Sequence, residues 1–103
     1  MEFRLTHWTG PSTPGERELK AVLRREGLHG HCWTNAPGER YRAHVHDYTK
    51  VLYCLAGDIV FHVAGTSVPL TPGDRLEIQA GTVHAADVGP NGVVCLEAIK
   101  QPA

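Results

Sequence analysis

The chain has 103 residues, 42% hydrophobic and 20% charged, with a formal net charge of −1 and a pI near 6.6. That composition excludes a disordered chain, and a domain of this length buries about 65% of its unfolded surface. Near-neutral charge offers no electrostatic footprint for nucleic acid or an anionic membrane, and no apolar run approaches the roughly 18 residues of a membrane span.

The first ten residues, MEFRLTHWTG, lack the basic start and apolar core of a signal peptide, so a cytoplasmic protein is expected. Met1–Trp8 reads as a short edge strand carrying Phe3 and Leu5 on one face, ended by Gly10-Pro11-Ser12. Thr13-Pro14-Gly15-Glu16 reads as a helix start, with Thr13 as N-cap, Pro14 in the first helical position and Glu16 closing a capping box. Leu19, Val22 and Leu23 then share a face, and Gly27 is the C-terminal cap candidate. Beyond the helix, glycines at 57, 65, 73, 81 and 89 recur every eight residues beside Asp, Thr or Pro. Short strands between such turn signals indicate an all-β sandwich or barrel. Eight strands are predicted, near His31–Asn35, Tyr41–His46, Val51–Leu55, Ile59–Val63, Ser67–Leu70, Leu76–Gln79, His84–Val88 and Val93–Ile99. They suit a double-sheet jelly roll. The expected organisation is one domain over 1–103, with a strand and helix in 1–30 and the barrel in 31–100. The cysteines Cys32, Cys54 and Cys95, odd in number and widely spaced, read as buried thiols rather than a disulfide framework or zinc ribbon.

The chemistry concentrates in Gly38–Gly57, GERYRAHVHDYTKVLYCLAG. His44 and His46 are two apart, and strand residues i and i+2 point to one face. Both imidazoles can therefore meet one ion at about 2.0–2.1 Å. The spacing Gly38, five residues, His44-x-His46, three residues, Lys50, six residues, Gly57 resembles the first motif of the cupin superfamily. Gly73, five residues, Gln79-x-Gly81, two residues, His84, then Val88 resembles the second. Three positions depart from the family pattern: Lys50 stands for Glu, Gln79 for Pro and Val88 for Asn. The short stretch between the motifs resembles the small single-domain bacterial cupins. The resemblance implies a cupin-type double-stranded β-helix, a homodimer, a small-molecule ligand and a divalent transition metal (Zn, Fe, Ni, Mn or Cu) on His44, His46 and His84. A metal-dependent enzyme acting on a small anionic or carbonyl-bearing molecule is the first reading. A non-catalytic, metal-free binding or sensing protein is the alternative.

Strand parity points Lys50 and Cys54 inward with the histidines. An ammonium about 5 Å from a divalent ion would be repelled by roughly 7 kcal/mol at an effective dielectric near 20. Lys50 is therefore expected to reach the barrel mouth with its head in water. The alternatives are that it sits neutral or itself holds an anionic ligand. Asp47, Tyr48, Glu77 and Glu97 are the acids and phenol available to serve the site. Asp47 has the wrong parity relative to His46, unless a turn there brings it round. Glu97 shares a face with Cys95 and Ile99 and reads as a rim carboxylate or as a general acid or base. His29-Gly-His31-Cys32 reads as a loop entering a strand, His62 as a half-buried packing residue, and Trp8 and Trp33 as core or interface aromatics.

Overall fold

A computed structural model describes residues 2–101. Seven strands and one helix follow in the order β1 (Phe3–Thr6), α1 (Glu16–Arg25), β2 (His31–Asn35), β3 (Arg40–His44), β4 (Thr49–Val63), β5 (Thr66–Leu70), β6 (Arg75–Ile78) and β7 (His84–Lys100). The eight expected strands become seven, counting β1, because two predicted breaks are bends inside long strands. Val51–Leu55 and Ile59–Val63 are two halves of β4, and His84–Val88 and Val93–Ile99 are two halves of β7.

Those bends make the barrel. The first half of β4 pairs with β6 and with the second half of β7, which carries β2 at its outer side and β1 beyond β6. After register shifts between Cys54 and Ala56 and between Gly57 and Ile59, the second half of β4 pairs with β5 and with the first half of β7, beside β3. One hydrogen-bonded ladder is thus folded into two facing layers. Gly57 permits the fold-over: its φ is +74°, and a Cβ there would stand 2.0 Å from the Gly92 carbonyl oxygen. No L side chain fits that approach.

Alternation decides what lies between the layers. Leu52, Cys54, Ile59, Phe61, Val63, Leu76, Ile78, Val88 and Cys95 point inward and form the larger core cluster. The opposite parity of β4, Val51 and Tyr53, meets Leu96, Ala98 and the helix residues Leu19 and Leu23 in a second cluster. The helix therefore covers the outside of the first layer, as its apolar face predicts.

The helix start differs from expectation. Gly15 is the N-cap and no side chain caps the first turn, so Thr13 does not serve that role. Pro14 is buried next to Trp8 and Gly73, so tertiary packing fixes this segment before the helix begins. The end follows the sequence: Gly27 has φ +78°, and its N–H and that of Leu28 donate to Arg24 and Leu23 carbonyls at 2.9 and 2.8 Å. This is a Schellman cap.

Candidate metal centre and adjoining cavity

His44 closes β3, His46 lies two residues beyond it, and His84 opens β7 directly opposite His44 in the β3–β7 ladder. The segment after β3 is pinned where the Gly81 N–H donates to the His46 carbonyl at 2.8 Å. The three ring centroids lie 4.3 Å (His44–His84), 4.8 Å (His44–His46) and 5.2 Å (His46–His84) apart. One nitrogen from each ring falls within 4.8 Å of the other two. Among the described residues this is the one group of three or more His, Cys, Asp or Glu side chains so arranged.

The backbone sets the tautomers. His44 Nδ1 stands 2.6 Å from the Arg42 carbonyl oxygen, and His84 Nδ1 stands 3.0 Å from that of Thr82. A carbonyl oxygen only accepts, so each Nδ1 carries the proton and each Nε2 keeps its lone pair. His84 is 2% exposed, and its Nε2 is buried without a hydrogen-bond partner. Such an orphan costs about 1–3 kcal/mol unless something meets it. A metal ion would meet it: an outer Nδ1–H held by a carbonyl is the usual way a ligating imidazole is oriented. Burial, then the neighbouring His44 imidazole and Lys50 ammonium, hold the His46 pKa below the ordinary histidine value. Burial leads again for His84 and, with smaller contributions from His44, Lys50 and His46, outweighs the opposing bond to Thr82. Both imidazoles are thereby kept in the neutral form that ligation requires. The donor set fits a divalent transition metal with coordination positions to spare.

Beside the triad lies a cavity of about 300 Å³ walled by Trp33, Tyr41, Tyr48 and Phe61, with His44, His46, Lys50, Ala86 and Glu97. Lys50 does not reach out to water as its stem would allow. Its side chain is 12% exposed, and its Nζ lies 3.2 Å from Glu97 Oε1 and 5.8 Å from the Phe61 ring centroid. The Trp33 indole N–H donates to the same Glu97 oxygen at 3.0 Å. Glu97, 21% exposed, is therefore a cavity carboxylate with two partners rather than a solvated rim group. The Lys50 charge beside the histidines is neutralised from the next strand: Leu52 faces Glu97 and Lys50 faces Ile99, which makes Lys50 and Glu97 diagonal neighbours.

The other sequence candidates separate cleanly. Tyr48 lines the cavity and stacks on His46, with centroids 4.6 Å apart and planes at 19°. Asp47, in the bend between β3 and β4, is exposed and outside the cavity. Cys54 points inward but lies in the apolar core, away from the cavity walls, where burial pushes its thiol up to about 11. Glu77 faces the helix side and pairs with Arg75 at 3.1 Å. His62 is half-buried on the outer face, bonded to Asp87 at 2.8 Å and Ser67 at 3.2 Å. The cavity walls Trp33, Tyr41 and Phe61 were not legible as site residues; for Phe61 the signal was its shared parity with the inward Ile59 and Val63. A larger cleft of about 470 Å³, lined in part by Arg4, Tyr53, Arg75 and Glu77, is elsewhere. Its Arg75 already serves Glu26, Glu77 and Tyr53.

The fold and the motif spacing agree with one further observation, a match of the Cupin domain family over residues 31–94. The chain belongs to the cupin family. A 49-residue stretch, 47% of the chain, is 41% identical to quercetin 2,3-dioxygenase of Bacillus subtilis (strain 168), and it spans 14% of that protein's length. Among solved structures, an RmlC-like cupin from Shewanella frigidimarina superposes with a TM-score of 0.65 at 23% identity, over 73% of this chain and 67% of that one. A predicted oxalate decarboxylase from Thermotoga maritima gives a TM-score of 0.65 at 21% identity, over 97% of this chain and 81% of that one. At those identities the structural likeness is one of fold. No helix of the described residues is long and apolar enough to cross a membrane.

Proposed function

We propose that this cupin holds one divalent transition metal on His44, His46 and His84 and processes a small molecule in the adjoining cavity. The observation that carries this reading is the buried, unpartnered Nε2 of His84, set within reach of two more imidazole nitrogens. A bound metal would supply Lewis acidity at an open coordination position. The chain's own residues would do the rest: Tyr48 braces His46 by stacking, Trp33 and Lys50 hold the Glu97 carboxylate, and Glu97 is placed to take or give a proton to a ligand in the cavity. The stretch shared with quercetin 2,3-dioxygenase supports an enzymatic use of the site. The second reading, a metal-free binder in which Lys50 takes an anion, is favoured by a lysine at the position where the family motif has glutamate.

Elemental analysis of protein expressed without a chelating tag tests the choice. About one transition metal per chain is expected, with loss on His84→Ala because two imidazoles compete poorly with water for a divalent ion. A metal-free protein with all three histidines intact would favour the binder. We extend the reading to a homodimer on the family resemblance; light scattering that returns the 11.3 kDa monomer mass would remove that part.

A further inference from the structure

Taking the cavity as the ligand site, as the proposed function does, its walls and its charges restrict what enters. Four of the lining side chains are aromatic: Trp33, Tyr41, Tyr48 and Phe61. Trp33 and Tyr41 meet edge to face, with centroids 6.2 Å apart and planes at 72°, and so brace each other along one wall. The volume of about 300 Å³ is roughly twice the 150 Å³ or so in which an apolar cavity takes up benzene. One substituted ring fits; an extended polymer does not.

The charges point the same way. Lys50 and Glu97 cancel, three neutral imidazoles add nothing, and a divalent ion would leave the site with two net positive charges. An ammonium has three N–H donors, and the structure gives Lys50 one carboxylate partner among the described residues. A ligand oxygen carrying negative charge would meet both the metal and Lys50. Phosphate is disfavoured, since the cavity brings no arginine fork among its walls.

We infer that this site selects a small planar aromatic anion, one ring bearing a carboxylate or phenolate oxygen, with the ring against Trp33, Tyr41 and Phe61 and the oxygen shared between the metal and Lys50. The test uses the full chain, zinc-loaded and chelated, titrated calorimetrically with benzoate, cyclohexanecarboxylate and benzamide. A Trp8→Phe version leaves Trp33 as the fluorescent reporter. Benzoate is expected to bind the zinc form at least about tenfold more tightly than either analogue, and to change Trp33 emission. Lys50→Met alone would strand the Glu97 carboxylate, so Lys50→Met with Glu97→Gln removes both charges together. That double variant should lose about fivefold or more in benzoate affinity, with benzamide affinity and zinc content maintained. Equal affinity for benzoate and cyclohexanecarboxylate, or an unchanged benzoate affinity in the double variant, would overturn the inference. Zinc content measured on the same samples separates the two ideas. Zinc retained without benzoate selectivity removes the aromatic anion and keeps the metal. Selectivity retained in protein that takes up no zinc does the reverse.

Discussion

Lys50 stands where the first motif has a glutamate, and its ion pair with Glu97 makes the site's electrostatics adjustable. With Glu97 removed, the Lys50 ammonium faces the imidazoles uncompensated, so Glu97→Gln should weaken zinc binding by about tenfold. Lys50→Glu should act oppositely on the metal and worse on the empty protein. Two carboxylates would then crowd one cavity in the chelated form, while zinc would relieve them. The gap in melting temperature between zinc-loaded and chelated protein should therefore be wider for Lys50→Glu than for the parent. An identical gap in the two proteins would mean that residue 50 does not sense the ion. The imidazoles themselves set a pH dependence. His46 and His84 have folded values below the ordinary histidine value, each mainly through burial. The unfolded chain therefore takes their protons first, so their contribution to stability is full above an unfolded value of about 6.5 and is lost as pH falls toward the depressed folded values. Denaturation midpoints of chelated protein at neutral pH and near pH 5.5 should show this fall; a midpoint that rises on acidification would contradict it.

At the scale of elements, two turns respond differently to substitution because their backbones are constrained differently. The β4–β5 hairpin turns on Ala64 and Gly65, with φ of +51° and +79°, between the paired residues Val63 and Thr66. Positive φ at both positions is the type I′ turn, for which Asn-Gly is preferred and Ala is strained. Ala64→Asn should stabilise the protein by about 0.5–1 kcal/mol, or several degrees of melting temperature. Gly57 is the contrasting case. Its positive φ is combined with a 2.0 Å approach of the Gly92 carbonyl to any added Cβ, and it sits where β4 crosses between layers. Gly57→Ala should cost about 3 kcal/mol or more, since the backbone itself must move. Urea melts of the two variants decide it; a Gly57→Ala protein as stable as its parent would show that the crossing can relax.

At the scale of the whole molecule, metal binding under the proposed function would share one free energy with folding, because the triad exists only when β3 and β7 are paired. His44 and His84 are register partners, forty residues apart in sequence, and neither contributes to a site in an open chain. A metal at one hundred times its dissociation constant would add about 2.7 kcal/mol, so zinc should raise the melting temperature of the parent by about 10 °C or more. The same addition should leave His84→Ala nearly unmoved. A second tie holds the helix to the barrel far from that site: Arg75 makes a two-point contact with Glu26, at 2.7 and 2.8 Å, and also holds Tyr53 and Glu77. The Arg75 guanidinium lowers the Glu26 carboxyl, consistent with a contact that locks the last helical turn over β6.

What the sequence determined by itself was local or periodic. Alternation placed the inward faces of β4 and β7, the turn glycines marked where the chain changes direction, and the Gly-to-His spacings singled out His44, His46 and His84. A strand's period of two carries the inward faces without reference to any partner, whereas the three histidines were singled out by the resemblance to the cupin motifs, and His46 lies beyond the end of β3. The helix face of Leu19 and Leu23 and the Gly27 cap were legible because helical periodicity and capping are likewise local. Tertiary structure alone decided the rest. Glycine at 57 reads equally as a turn or as a bulge, and only the facing carbonyl of Gly92 makes it a bulge inside one long strand. Thr13 has the right spacing for a cap, but Pro14 is held by Trp8 and Gly73, and the helix starts later. Lys50 had a physical reason to seek water, because an ion on the histidines would repel its ammonium and its stem is long; Glu97, forty-seven residues later, supplies a partner across the β4–β7 ladder instead. Pairing between strands distant in sequence brings that carboxylate, the Trp33 indole and the Phe61 ring to one cavity, and no pattern within a single strand encodes which neighbour it will meet.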